Sequence, residues 1–336
     1  MDLEFLLPII WSIIIAIGVV VYVILDGFDL GVGILFPWIK DEQHKTLMMN
    51  SIAPFWDGNE TWLVLGGVGL FVAFPYVYAT LLPIMYIPLT IFLIAIALRG
   101  VSFEFRFKAE HSKPLWDAVF AVGSILMAFC QGIVLGTFVQ GFKMIGKEFI
   151  GGSFDWATPF SFFCGIALVI GYALLGATWL IYKTEGDLQR KMYNFAFKLA
   201  IAIIICIGIV SLWTPLISQG IFERWFGKNF KILIWLPLIT AIISLALLYS
   251  IIKRKELKPF VYSIALFILS YMGLGISIWP YVIPRSVNIW QASSSVDSQL
   301  FTLVGALIVL PCVLIYTVKI YRLFKGKVKA VDGYPV

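Results

Sequence analysis

Carboxylates stand inside otherwise hydrocarbon-like sequence in two fragments, Leu25-Asp26-Gly27-Phe28-Asp29-Leu30-Gly31-Val32-Gly33 and Trp56-Asp57-Gly58-Asn59-Glu60-Thr61-Trp62. A charged side chain at the centre of a membrane helix costs at least about 2.5–3.5 kcal/mol on insertion scales, so four acids beside apolar runs call for a use. Two uses compete. Such a carboxylate can take up and release protons, or a cation can hold it as a strut between helices or at a helix end. Asp26 and Asp29 are three residues apart and share a helix face, with Tyr22 four residues before Asp26 on that face. Asp57 and Glu60 repeat the spacing. Asp57 lies between Trp56 and Gly58 at the start of an apolar run, where desolvation favours a proton-accepting role. Arg99, Glu104 and Arg106, at the end of the third apolar run, are the cations and the acid that an ion-paired reading would use. That reading weighs most for Glu60 and Glu104, which can reach headgroup water.

The elements that must carry these residues are membrane spans. Of 336 residues, 61% are hydrophobic and 13% charged, and the mean hydropathy is +0.95. A soluble domain has roughly 25% charged residues, so composition alone gives an integral membrane protein. An aromatic content of 16% fits the enrichment of Trp and Tyr at lipid–water interfaces. The run from Phe5 to Leu25 exceeds the roughly 7–15 residues of a signal-peptide core and follows Asp2 and Glu4 instead of basic residues, so it reads as a span.

A hydrocarbon core about 30 Å thick takes roughly 20 apolar residues per helix. Nine stretches qualify: 6–36, 52–74, 76–98, 115–140, 157–182, 193–213, 230–252, 259–280 and 300–324. The first is longer than a span needs, so it tilts or continues beyond the membrane. Pro37, Pro75, Pro114 and Pro159 fall near boundaries, whereas Pro83, Pro88, Pro237 and Pro311 fall inside spans and are expected to kink them. Nine spans place the termini on opposite sides. The Lys and Arg residues divide 19 to six between the two sides, the larger group including Arg99, Arg106, Lys183 and the cluster from Lys319 to Lys329. The positive-inside rule then puts the N-terminus outside and the C-terminus in the cytoplasm, with Asp26, Asp29, Asp57 and Glu60 converging on the cytoplasmic mouth. Gly27 and Gly31 form a GxxxG pattern, extended by Gly33, that lets another helix approach closely. The frame Tyr22-Val-Ile-Leu25 returns as Tyr172-Ala-Leu-Leu175. A four-span unit used twice, or chance likeness between apolar helices, explains the offset equally well.

Other chemistries lack their residues. The histidines are His44 and His111, both in polar loops, so no spanning helix offers imidazole to a b-type haem. Cys130, Cys164, Cys206 and Cys312 fall in apolar runs without CxxC spacing and read as inert thiols, and no metal site is expected. The basic residues form no stripe for nucleic acid, and no Walker, dinucleotide or nucleophile-elbow motif appears.

Three segments resemble subunit II of the bacterial cytochrome bd-type quinol oxidases: Asp26-Gly27-Phe28-Asp29-Leu30-Gly31-Val32-Gly33, Asn50-Ser51-Ile52-Ala53-Pro54-Phe55-Trp56-Asp57-Gly58-Asn59, and Arg99 with Phe103-Glu104-Phe105-Arg106. The first two are long and specific; beyond about residue 140 the likeness is one of hydropathy. Phe55 and Glu60 depart from the pattern, standing where some members carry histidine and glutamine. The resemblance implies a haem-free subunit, in a multi-pass heterodimer of the bacterial cytoplasmic membrane, of a terminal oxidase that oxidises quinol and reduces dioxygen. Two b-type haems and one d-type haem then belong to subunit I. A small single-span accessory subunit, lipid and quinone are the further partners, and nucleic acid is none. The resemblance also implies that Asp57 is the proton-entry carboxylate, with Asp26 and Asp29 as companions. The reading of the residues themselves adds Glu60 to that route, with Trp56, Asn59, Arg99, Glu104 and Arg106 as a supporting polar cluster.

The expected fold is thus an all-α integral membrane protein in one polytopic domain, 1–336, with repeat units 1–140 and 157–280 and a peripheral span at 300–324. Composition without the motifs leaves two other readings, a proton-coupled secondary transporter and a purely structural membrane partner.

Overall fold

The computed structural model describes residues 2–145 and 148–328. Lys147 and Lys329, both counted in the charge bias, lie outside the described residues. The chain begins with α1 (Leu3–Leu35), whose 33 residues reach about 50 Å, well beyond one hydrocarbon thickness. The side chain of Asp2 caps its start by accepting from the Glu4 amide at 3.2 Å. A short 3₁₀ turn through Pro37 ends it, and α2 (Glu42–Asn50) follows.

Next come α3 (Trp56–Ala73), α4 (Pro75–Ile84), α5 (Tyr86–Lys108) and α6 (Lys113–Gln140). After the two-stranded β1 (Met144–Ile145) and β2 (Glu148–Phe149), the long helices α7 (Pro159–Lys183) and α8 (Gly186–Ile217) are joined by a tight turn. The short helices α9 (Gln219–Phe226) and α10 (Phe230–Leu233) lead into α11 (Trp235–Ile252) and α12 (Lys258–Ile278). A second small hairpin, β3 (Tyr281–Ile283) and β4 (Val287–Asn288), and the one-turn α13 (Ile289–Ala292) precede α14 (Val296–Leu323).

Among the described residues eight helices are long and apolar enough to cross a membrane, and the bent pair α3–α4 raises the number to nine. The apolar run 76–98 is therefore not one span. α3 and α4 meet at 119°, and the chain breaks again at Met85, so the helix that carries Arg99 starts at Tyr86 and extends to Lys108. Proline placement explains the breaks. Pro75 opens α4, while Pro88 and Pro237 lie in the first turns of α5 and α11, where the missing N–H has no acceptor to lose. These two start helices instead of kinking them. Pro83 and Pro311 do fall inside α4 and α14.

Packing centres on α1, α6 and α7. A Cβ on Gly31 would lie 1.8 Å from the Tyr172 carbonyl oxygen, and one on Gly176 would lie 2.2 Å from the Gly31 carbonyl carbon, so the backbones of α1 and α7 touch. This is the close approach that the Gly27–Gly31 spacing implies. A Cβ on Gly33 would meet the Ser124 hydroxyl of α6 at 2.1 Å. Gly18 faces Leu65 and Gly69 faces Ile15, so α3 runs antiparallel to α1. Trp11 Nε1 donates to the Gln299 carbonyl at 3.2 Å and Phe28 packs edge-on against Tyr321, so α14 runs parallel to α1. The start of α1 and the end of α14 consequently lie at opposite ends of the bundle.

Beyond α14 the chain folds back onto the α7–α8 turn. Lys183 Nζ donates to the Phe324 carbonyl at 2.7 Å, and the Val328 amide donates to the Lys183 carbonyl at 2.8 Å. Lys327 donates to the Thr184 carbonyl at 3.0 Å and pairs with Glu256 at 2.9 Å.

Candidate functional site

The antiparallel α1–α3 pair and the return of α5 bring three buried polar side chains together at one end of the bundle. Asp26 and Asp29 lie on the inner face of α1, both 1% exposed or less, and Arg99 of α5 is 1% exposed. Arg99 Nη1 donates to Asp26 Oδ1 at 3.2 Å and to Glu60 Oε1 at 2.7 Å, so one guanidinium nitrogen ties α5 to both α1 and α3. The Arg99 guanidinium also lies 5.9 Å from the Trp56 ring centroid. Such a cation contributes a fixed positive charge and five donors, and it does not itself release a proton.

Asp29 is held differently. Asn59 Nδ2 donates to Asp29 Oδ2 at 2.7 Å and to the Leu25 carbonyl at 3.2 Å, and the Tyr321 hydroxyl of α14 donates to Asn59 Oδ1 at 3.1 Å. A second chain of donors leads to Asp26. The Tyr172 hydroxyl donates to Gln131 Oε1 at 2.6 Å, and Gln131 Nε2 donates to the hydroxyl of Tyr22, one helical turn before Asp26 on α1, at 2.8 Å. Asp29 thus stands at the end of one hydrogen-bonded series, and Asp26 stands beside the end of another. Their other oxygens, Asp26 Oδ2 and Asp29 Oδ1, are buried with no protein donor among the described residues. Each retains an acceptor position for a proton.

Exposure falls in steps along this group. Asp57 is exposed, the Glu60 side chain is 20% exposed, and Asp26 and Arg99 are 1% exposed. The desolvated position expected for Asp57 is thereby corrected. Asn59 faces α1, and two residues of helix rotate Asp57 about 200° away from it, onto the outer surface of the chain. Glu104 lies on the outer surface as well. It is exposed on α5, whereas Arg99, Ser102, Phe103 and Arg106 are buried.

Arg106 belongs to a second ionic group. Its Nε donates to Asp117 Oδ1 at 2.5 Å and its Nη2 to Glu42 Oε2 at 3.0 Å, while Lys45 reaches Asp117 Oδ2 at 2.6 Å. The supporting cluster expected from sequence is therefore two clusters, divided between Arg99 and Arg106. Sequence reasoning missed Gln131, Tyr172, Tyr321 and Asp117. A polar residue among apolar neighbours, as Gln131 is between Cys130 and Gly132, was the available signal; nothing marks Tyr321 among the aromatic residues of its span.

A polytopic helical membrane protein with carboxylates and a guanidinium buried at one end of its bundle is the class that the fold and the site define. The chain belongs to the cytochrome bd terminal oxidase subunit II family, whose model matches residues 7–324. It is 27% identical to the cytochrome bd-I ubiquinol oxidase subunit 2 of Escherichia coli strain K12, over 96% of this chain and 95% of that protein. It is 29% identical to the cytochrome bd ubiquinol oxidase subunit 2 of Bacillus subtilis strain 168, over 95% of this chain and 96% of that protein. The fold matches a chain of the bd oxidase from Geobacillus thermodenitrificans with a TM-score of 0.74 at 16% identity, covering 95% of this chain and 99% of that one.

A haem held by this chain would need an axial side chain within a span. His44 lies on α2 with Nδ1 3.7 Å from Asp41 Oδ1, and His111 is exposed between α5 and α6. Among the described residues no group of three or more His, Cys, Asp or Glu side chains could hold a metal ion. Neither imidazole therefore lies on a spanning helix.

Proposed function

We propose that this chain is the haem-free subunit of a bd-type quinol:oxygen oxidoreductase, that it braces the haem-bearing subunit I, and that it offers protons a path from the cytoplasm. The observation that carries the proposal is the graded series from exposed Asp57 through part-exposed Glu60 to buried Asp26, organised around Arg99 in a member of this family. A proton taken up at Asp57 passes to Glu60 and then to Asp26. Arg99 keeps the path electrostatically affordable by offsetting one negative charge. Asp29, held by Asn59, orients the group more than it relays. Two b-type haems, one d-type haem and the quinol belong with the partner, as do any single-span accessory subunit and bound quinone. The 19-to-six distribution of basic residues supports nine crossings of a bacterial cytoplasmic membrane, with the N-terminus outside. The helix directions, with α1 and α14 parallel, agree with it. The Tyr22 and Tyr172 pair, joined through Gln131, supports two related units at 1–140 and 157–280 with α14 beside them.

The salt bridges of Arg99 favour a second reading, in which the acids are struts only. One experiment separates the two. Asp57→Asn and Glu60→Gln keep shape and polarity and remove a titratable group. In the intact complex each is expected to slow oxygen consumption at excess quinol with haem content unchanged, by roughly 10²–10⁴-fold if the group relays directly. Asp29→Asn is expected to slow it less. Wild-type turnover in both Asp57→Asn and Glu60→Gln removes the relay, and loss of turnover together with haem supports struts.

A further inference from the structure

At the end of the bundle opposite the carboxylates, α9 and α10 lie between long helices and are themselves too short to span. α9 turns Ile221 inward and sets Phe222 and Phe226 outward with ring centroids 5.0 Å apart, and Phe226 stacks on Phe230 at 6.2 Å. Arg224, Lys228 and Lys231 are interleaved with these rings. The acid of this segment, Glu223, accepts from Gln219 Nε2 at 3.0 Å. Exposed rings alternating with cations beside the end of a span belong at a lipid–water interface.

Three hydrogen bonds fix the segment against the end of α12. Arg224 Nη1 donates to the Ile276 carbonyl at 2.8 Å and to the Trp279 carbonyl, and Trp225 Nε1 donates to Ser277 Oγ at 2.9 Å. Between them runs a groove of about 680 Å³, lined by Arg224, Asn229, Leu233, Met272, Gly275 and Trp279 among others. Its lining joins a cation, Arg224, and an amide, Asn229, to the apolar Leu233, Met272 and Ile276. Gly275 keeps the floor open, since a Cβ there would meet nothing within 4 Å.

We propose that this groove binds one anionic phospholipid. Arg224 spends Nη1 on the two carbonyls, and its Nε and Nη2 face the phosphodiester as further donors. The Asn229 amide adds a neutral donor, and Lys228 and Lys231 raise the local positive potential. The upper acyl chain lies along Leu233, Met272 and Gly275. A zwitterionic lipid offers the same phosphodiester but sets a second cation beside Arg224, Lys228 and Lys231, and a quinone offers no anion.

The test uses the assembled oxidase complex in phosphatidylcholine vesicles that contain a trace of lipid with a photoactivatable acyl chain, either phosphatidylglycerol or phosphatidylcholine. Crosslinked peptides are mapped by mass spectrometry. The phosphatidylglycerol probe is expected to label residues 224–233 and 272–280, and the phosphatidylcholine probe to label them weakly. Arg224→Gln is expected to lower the first signal about tenfold, the worth of one charge-assisted hydrogen bond. Gly275→Leu, which fills the floor without a clash at Cβ, is expected to lower it similarly in a complex that assembles normally. Equal labelling by the two lipids overturns the proposal, as does phosphatidylglycerol labelling that Gly275→Leu leaves unchanged. If Arg224→Gln fails to assemble, Gly275→Leu decides alone.

Discussion

Arg99 is the residue on which the site turns, because a single nitrogen serves Asp26 and Glu60. Taking one member from a buried ion pair costs about 3–5 kcal/mol, since the other charge is left uncompensated. Arg99→Gln is therefore expected to lower the thermal stability of the purified complex sharply. Asp26→Asn combined with Arg99→Gln removes both charges and is expected to recover most of the loss. A double variant as unstable as Arg99→Gln would show that shape, not charge balance, governs the position. Much of this group was legible in sequence, because a carboxylate in an apolar run identifies itself and a three-residue spacing places two on one face. Its partners were not. Tyr321 meets Asn59 across 262 residues, and Gln131 meets Tyr22 across 109, and no local rule reaches so far. The separate grouping of Arg106 was not legible for a related reason, since its partner Asp117 lies near the start of the next helix and reads as a boundary residue.

Among the elements, α1 and α7 make the closest approach, and glycine permits it. At Gly31 any side chain meets backbone, which cannot rotate aside. Gly31→Leu is expected to abolish accumulation of the complex in the membrane, as measured by immunoblot and haem spectrum. Gly208→Ala provides the contrast. Gly208 is exposed on α8 with nothing within 4 Å of its Cβ position, and the change is expected to alter stability by less than about 1 kcal/mol. Normal assembly of Gly31→Leu would mean that the α1–α7 contact is adjustable. The seam was readable from the Gly27–Gly31 spacing, but its partner helix was not. Hydropathy also merged α4 and the start of α5 into one run, since a window of apolar residues does not register the turn that Phe74-Pro75 and Met85 impose.

At the scale of the whole chain, the last described residues are latched to its middle. Hydrogen bonds from Lys327 and Gln189 hold the Glu256 carboxyl below the ordinary glutamate range. A carboxyl so lowered contributes stability above its unfolded value and loses that contribution as pH falls through the folded one. The latch is thus intact at neutral pH and is expected to loosen only in acid below the usual glutamate range. Glu256 is half exposed, so the effect stays within about 1 kcal/mol and is local. The protection of the Val328 amide against hydrogen exchange, relative to the intrinsic rate at the same pH, is expected to fall in acid, and at neutral pH in Glu256→Gln, with the melting temperature unmoved; that amide donates to the Lys183 carbonyl. Unchanged exchange in Glu256→Gln would show that the Lys183 and Thr184 contacts suffice. None of this latch could be read from sequence, where Lys183 and Lys327 serve only as inside charges.

The Tyr321 contact carries a consequence for biosynthesis. Asp26, Glu60 and Arg99 all leave the ribosome within the first third of translation and can pair as soon as α5 is inserted. Asp29 and Asn59 leave equally early but wait for the closing hydroxyl until Tyr321, 262 residues after Asn59, has followed. A polypeptide terminated before Tyr321 therefore carries the ion pair without its second brace, and the nascent protein completes this corner of its interior only after α14 has been made.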